Sequence, residues 1–483
     1  MGRPRGVTGG RVCRAWVAQP GFGMMPAMLL ARMLMIAALT AGVGADARAP
    51  APAPSAGPAP VARVFPYPMH VSRLQNGLTL VVVPMESGGL VAYRTAVRTG
   101  ARDEYERGHT GFAHFFEHMM FRGTERFPAE VYNRLITEMG ADANAYTSSD
   151  LTVYQLDIAA EDLDRVMELE ADRFMNLQYS EAAFKTEAGA VYGEYRKNKA
   201  SPGYVLYEQL ARTAFTRHTY GHMTIGLEAD IKAMPSMFKY SKSFFSRYYR
   251  PENCIIVIAG DVDPVAAKAG VERHYSAWKP GYVAPKIKPE PPQKRERRAR
   301  VTYPGKTLPR VVVAYKAGAA DPDDRDWVAQ LVLAELAFGE TSEIERALRL
   351  EQQLVQHIGA SPSYNRDPGL WSVSATIKRP ADIERVLAEI DKTVARFREQ
   401  PPPREALDAV VANMKYGFLM SLDTPSAVAG QLARMAAVTG KPDAYDRMYA
   451  QLGRVTPEDV QRVAQAIFVD ARRSVLTLEG AGR

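Results

Sequence analysis

Apolar positions along this chain alternate between a two-residue and a 3.6-residue period, and the switches divide it into elements. Leu78–Pro84 and Leu90–Val97 read as strands, with Asn76-Gly77 marking a turn before the first. Helical spacing covers roughly 110–122, 129–139, 161–176, 181–198, 235–248 and 263–277, with one strand, Tyr146–Ile158, among them. The order then restarts. A strand at Arg310–Tyr315 is followed by helices near Asp324–Phe338 and from Ser342, and by strands around Gly359–Tyr364 and Trp371–Ile377. Four helical patterns and a final strand at Ser474–Glu479 complete the chain. This is α+β material, and two similar halves of about 200 residues imply an internal duplication.

Composition breaks supply the boundaries. The expected organisation is a leader at 1–47, a tether at 48–64, a first domain at 65–282, a linker at 283–298 and a second domain at 299–483. Arg32 precedes the apolar run Met33–Ala45, which ends in small residues, as in an export signal cleaved after Ala45 or Ala47. The run is short for a membrane span. A soluble periplasmic protein is expected, with an uncleaved membrane anchor or a mitochondrial-type presequence as the alternative. Met24, Met25 and Met28 leave the translation start open. Ala49-Pro-Ala-Pro-Ala-Pro54 cannot build a core, and Tyr282–Arg298 is rich in proline and charge.

The 483 residues are 46% hydrophobic and 24% charged, which places them among globular chains with ample core. The formal net charge is +7, but Arg3, Arg5, Arg11, Arg14 and Arg32 lie in an acid-free leader, leaving +2 for the rest. A nucleic-acid partner is therefore not expected. Of the two cysteines, Cys13 falls in the leader and Cys254 in the apolar strand pattern Ile255–Ile258, so the mature chain forms no internal disulfide and Cys254 is a packing residue.

The candidate chemistry centres on His114-Phe115-Phe116-Glu117-His118. On a helix, positions four apart lie about 40° from each other, so both imidazoles share a face, while position 117 flanks them at about 300° from 114. Two imidazoles can hold zinc, which usually takes a third protein ligand and leaves a position for water, and a free carboxylate beside it can accept the water's proton. The spacing suits His114 and His118 as ligands and Glu117 as base. Chance alone yields such a pattern in a chain with eight histidines about once in a hundred. Downstream, Ser180 caps a helical pattern in which Glu187 and Glu194, seven apart, share a face. By spacing alone they are equally well a solvated acidic stripe.

The run Gly111-Phe-Ala-His114-Phe-Phe-Glu117-His118-Met-Met-Phe-Arg-Gly123-Thr124, followed by this glutamate pair, resembles the pitrilysin/insulinase family of inverzincin metallopeptidases, which includes the mitochondrial processing peptidases and bacterial relatives. The resemblance runs from about Val71 to the C-terminus. It implies two homologous α/β-sandwich domains, each a mixed, largely antiparallel sheet packed with helices, and one Zn2+ per chain. The family's third ligand follows the second histidine by some seventy residues, which makes Glu194 that ligand across a gap of 75. It makes Glu187 a catalytic-site residue that supports the ligands. Gly140–Tyr154 matches the family's edge strand for substrate backbone, so Asn144 and Ala145 are expected to bind peptide as an added strand. Tyr248–Asp263 matches the strand and turn that close the first domain. The implied activity is endopeptidase action on peptides or unfolded segments.

One stretch departs from the pattern. The family places an Arg and a Tyr as S-R-L…G-L-x-Y to hold substrate and steady the oxyanion, whereas Glu343 and Gln356 stand at those positions here. Either Arg346, His357 or Tyr364 substitutes, or a related subunit carries the pair. A heterodimer is the favoured expectation, with a homodimer as the other. The rival functional reading, a non-catalytic structural subunit, does not account for retention of His114, Glu117, His118 and Glu194 together.

Overall fold

The computed structural model describes residues 63–481; the expected leader and all but two residues of the expected tether lie outside them. Among the described residues, two sheets form. The first contains His70–Arg73 (β1), Thr79–Pro84 (β2), Leu90–Val97 (β3), Asp142–Thr147 (β4), Thr152–Ala159 (β5) and Cys254–Gly260 (β6), in the order β1-β2-β6-β3-β5-β4. The second contains Arg297–Tyr303 (β7), Arg310–Lys316 (β8), Val355–Ser361 (β9), Leu370–Ile377 (β10) and Arg473–Gly480 (β11), in the order β7-β11-β8-β10-β9. Without β1 the two orders are the same. In both, the first pair is parallel and the remaining pairs are antiparallel. The expected duplication is thus present in the topology, and the fold is a mixed α/β arrangement of two sheets packed with helices.

Several local expectations need correction. Tyr146–Ile158 is not one strand but the ends of a hairpin, β4 and β5. The alternating pattern continues through the break, and the turn is made by polar Ser148-Ser149-Asp150, with the Ser148 N–H donating to Leu151 O at 2.8 Å. Helix Pro202–Ala214 was not among the expected elements. Ser201 and Pro202 look like a break, yet they are a helix start, with the serine hydroxyl as cap and proline in the first turn. Five helices, not four, lie between β10 and β11. Arg297 and Arg298, at the end of the charged run, open β7.

Both faces of the central strands are covered. On one face of the first sheet Leu80, Val82, Tyr93, Leu156 and Ile258 meet helices of the first half. The opposite face, with Val81, Ala92, Ala96 and Val257, meets helix Pro425–Thr439 of the second half. Reciprocally, helix Pro202–Ala214 of the first half lays Leu206 and Leu210 on Val312, Ala314, Leu476 and Leu478 of the second sheet. The two halves exchange helices at equivalent places in their element order. Arg94, buried in β3, fixes one exchanged helix by donating to Asp157 Oδ1 at 2.7 Å and Ser426 Oγ at 2.6 Å. At the other end of that helix Arg98 donates to Ala437 O. Among the described residues no helix is long and apolar enough to cross a membrane.

Candidate metal centre

Helix Phe112–Met119 carries the two histidines. Its inner face, Phe112, Phe115, Phe116 and Met119, is fully buried, and Phe116 stacks on Phe244 with ring centroids 5.4 Å apart. That packing fixes the helix's rotation and hence the direction of His114, Glu117 and His118. The helix begins at Gly111, whose φ of +93° and 2.5 Å clearance to Ile225 O at the Cβ position exclude a side chain. With no side-chain cap available there, Glu104 caps it from a distance, accepting from Gly111 N and Ala113 N, each at 2.7 Å. Glu104 is 3% exposed, and burial pushes its carboxyl up to about 8 against the pull of these donors.

Helix Glu181–Lys199 supplies the carboxylates. Ser180 caps it through Ala183 N at 3.1 Å, and Glu187 and Glu194 share the face turned to the histidines. Glu194 Oε2 lies 3.6 Å from His114 Nε2 and 3.5 Å from His118 Nε2. One ligand atom from each of the three residues falls within 4.8 Å of the others. Donors about 2.0–2.1 Å from a tetrahedral zinc sit roughly 3.4 Å apart, so this trio fits the metal. The chemistry of the set agrees. His118 Nδ1 faces Glu187 Oε1 at 2.9 Å, which holds a proton on Nδ1 and directs the buried Nε2 at Glu194 Oε2, 3.5 Å away, the spacing of two ligand atoms on one ion.

Electrostatics follow from these contacts. Burial lowers His114, favouring the neutral imidazole a metal requires. Burial also opposes charge on His118, but the hydrogen bonds to Glu187 and Glu194 overcome it and push the imidazole up to about 10 in the absence of an ion. Glu187 and Glu194 are held below the usual carboxylate range: burial opposes this, and His118 outweighs it at both, helped by Arg122 at Glu187. Arg122 donates to Glu187 Oε2. Without an ion the cluster carries its one extra proton on His118, and a divalent ion binding there displaces it.

Glu117 is 6% exposed, and its carboxylate acts electrostatically on both His114 and His118. The Thr147 hydroxyl donates to Glu117 Oε2 at 2.7 Å, and Thr147 lies 3.4 Å from Thr152 Oγ1, which donates to Thr99 O. Thr147 was not singled out in the sequence. A signal was present: it lies two residues after Ala145, on the same face of an alternating strand. β4 is the edge of its sheet, as expected for the segment bearing Asn144 and Ala145. Ala145 is buried towards the metal helix, and its N–H is held by the Asn144 side-chain oxygen at 2.9 Å. The second-half residues are spread out. Glu343 pairs with Arg396, Arg346 with Glu351 at 3.4 Å, and Tyr364 packs edge-on to Trp327.

Residues 83–227 match the family model described as insulinase (peptidase family M16), and residues 240–414 match the model described as the peptidase M16 inactive domain. The chain is 29% identical over 423 residues to the zinc protease PqqE of Helicobacter pylori, covering 85% of this chain and 93% of the relative. It is 23% identical over 418 residues to the mitochondrial-processing peptidase subunit beta of Lentinula edodes, covering 83% and 87%. Among solved structures, a protease from Helicobacter pylori superposes with a TM-score of 0.80 at 27% identity, covering 86% of this chain and 99% of that one. The periplasmic protease PqqL of Escherichia coli superposes at 0.71 and 18% identity, and there the chain spans 48% of the neighbour. Two family models in chain order, two sheets of one topology and the inverted histidine motif agree: this chain belongs to the pitrilysin/insulinase family, peptidase family M16.

Proposed function

We propose that the chain is a zinc-dependent endopeptidase acting on peptides or unfolded polypeptide segments. The observation that carries the reading is the convergence of His114, His118 and Glu194 with Glu117 beside them. Zinc, when bound by these three residues, supplies Lewis acidity and lowers the pKa of water. Glu117 accepts the proton of the attacking water and passes it to the leaving amine. Thr147 occupies Oε2 of Glu117 and leaves Oε1 for that work. Glu187 fixes the tautomer and orientation of His118. An extended substrate adds to β4 at Asn144 and Ala145, gaining main-chain hydrogen bonds that are indifferent to sequence. The names of the related zinc proteases support the metal and the reaction class.

The missing Arg and Tyr pair is supplied in this reading by a related subunit rather than by Arg346, His357 or Tyr364; Arg346 pairs with Glu351 at the surface and Tyr364 packs on Trp327. Export to the periplasm rests on the leader pattern alone, and N-terminal sequencing of the mature protein tests it. The central experiment is metal analysis beside Glu117→Gln. Zinc retained at one per chain with turnover reduced about 10²–10⁴-fold is expected. Unchanged cleavage refutes the mechanism, and a folded wild type that takes up no zinc refutes the site.

A further inference from the structure

We infer that the second half, in which no metal-ligating group of side chains occurs among the described residues, positions the base Glu117 through the connection between β9 and β10. The inference rests on the reading of Glu117 as base. The connection is fixed first to its own half. Trp327 Nε1 donates to Ser363 O at 2.9 Å, Ala320 N to Asn365 O at 2.8 Å, and Ala317 N to Gly369 O at 3.0 Å. Its tip, Asn365-Arg366-Asp367, then reaches into the first half at two places.

The first place is the turn that follows Thr147. Asp150, 2% exposed, has both carboxylate oxygens engaged. Oδ2 accepts from Asn365 Nδ2 at 2.8 Å and from Arg366 N at 3.3 Å, while Oδ1 accepts from the Tyr220 hydroxyl at 2.6 Å. Tyr220 in turn accepts from Asp367 N at 3.1 Å. Three residues before Asp150 stands Thr147, whose hydroxyl holds Glu117. The second place is the segment leading to Glu104. Asp367 takes Arg102 Nε at 2.7 Å and His218 Nε2 at 2.9 Å, and Arg366 donates to Arg98 O at 2.7 Å. Arg102 lies two residues before the glutamate that caps the metal helix.

The two places are also tied to each other. Ala101 N and Arg102 N donate to Ser148 O and Ser149 O, and a Cβ on Gly100 would stand 2.4 Å from Ser148 O. A displacement of the tip therefore moves the supports of both ends of the base's environment together. Buried polar networks of this kind admit few alternative arrangements, because each unsatisfied group is costly. Misplacing a reacting group by about 1 Å can lower turnover about 100-fold. Asn365 is accordingly a positioning residue, acting on Glu117 through Asp150 and Thr147.

The test uses the full zinc-loaded chain with Asn365→Asp, which sets a second carboxylate against Asp150. Expected are amide hydrogen exchange across 142–151 accelerated about tenfold or more, kcat reduced about tenfold or more, unchanged KM and full zinc content. The double variant Asn365→Asp with Asp150→Asn exchanges the amide and the carboxylate and restores most of both readouts, short of the wild type because an amide nitrogen cannot accept from Arg366 N. Tyr220→Phe, which removes one hydroxyl and is the gentler change, produces the same pattern to a smaller extent. Unchanged exchange across 142–151 in both single variants overturns the inference. So does accelerated exchange with undiminished kcat. If the zinc-loaded wild type does not cleave, the peptidase reading falls, and the exchange arm alone still decides whether the tip holds the turn.

Discussion

The two halves share one topology and put opposite things in the same place. Between β3 and β4 the first half has helix Phe112–Met119, with His114 and Glu117 buried in its outer face. Between β8 and β9 the second half has helix Arg325–Phe338, in which Trp327, Val328, Leu331, Val332 and Leu333 are buried and no metal ligand appears. The glutamate helix likewise has a counterpart, Arg404–Met420, whose acids Glu405 and Asp408 are exposed. Burying polar groups is unfavourable unless each finds a partner. The first half carries that burden with Glu104, Glu187 and Thr147 as partners, and the second half lines the equivalent helix mostly with apolar side chains. On the proposed reading of the trio, the difference teaches what a metal site asks of a fold: one copy holds the polar set, and its twin is free to serve as support.

The largest effect that would break this division is loss of a ligand. Glu194→Ala should release zinc and reduce turnover to background while the chain stays folded, as read by metal analysis and circular dichroism. If zinc stays bound at full affinity, the trio is not the metal's cage. Next, Leu331→Ala in the supporting helix should destabilise the chain by about 2–5 kcal/mol in urea unfolding with zinc stoichiometry unchanged. A loss of zinc without loss of stability would reverse the roles assigned to the halves. Glu187→Gln should weaken zinc about 10–100-fold in a chelator competition, because His118 loses the partner that orients it.

The smallest effect sharpens the contrast through pH. Glu104 is raised to about 8 in the folded protein, so its contribution to stability is full below the usual carboxylate range and is lost as pH rises through about 8. The metal-free protein should therefore show a Tm component that declines between pH 5 and 8, and Glu104→Gln should flatten that decline. A slope that the variant leaves unchanged assigns the titration to another group.

The metal helix was legible in the sequence because its message is periodic. His114, Glu117 and His118 share a surface by spacing, and Phe112, Phe115, Phe116 and Met119 declare the opposite one. Glu194 was legible only through the family pattern, since an acidic pair seven apart is as compatible with solvent as with a metal. Thr147 is hidden because the alternation runs unbroken through Tyr146–Ile158 and conceals the turn that follows it. The partners of Asp150 were illegible for a different reason. Asn365, Arg366 and Asp367 are more than two hundred positions away, in a connection whose composition says only that it is a loop. Local pattern reports which face of an element is apolar, not which distant element covers it.

The exchanged helices bear on what the chain's central joint can and cannot do. Helix Pro202–Ala214 closes the second sheet and helix Pro425–Thr439 closes the first, so the stretch between β6 and β7 is a joint in sequence without being a seam in space. A protease nick there would leave a molecule held together by two apolar clasps, one in each direction. Either fragment made alone would instead display a bare β-sheet face several strands wide, an invitation to aggregate. The twin halves complete each other's cores, and a gene split at this joint would have to deliver both products to the same place at the same time.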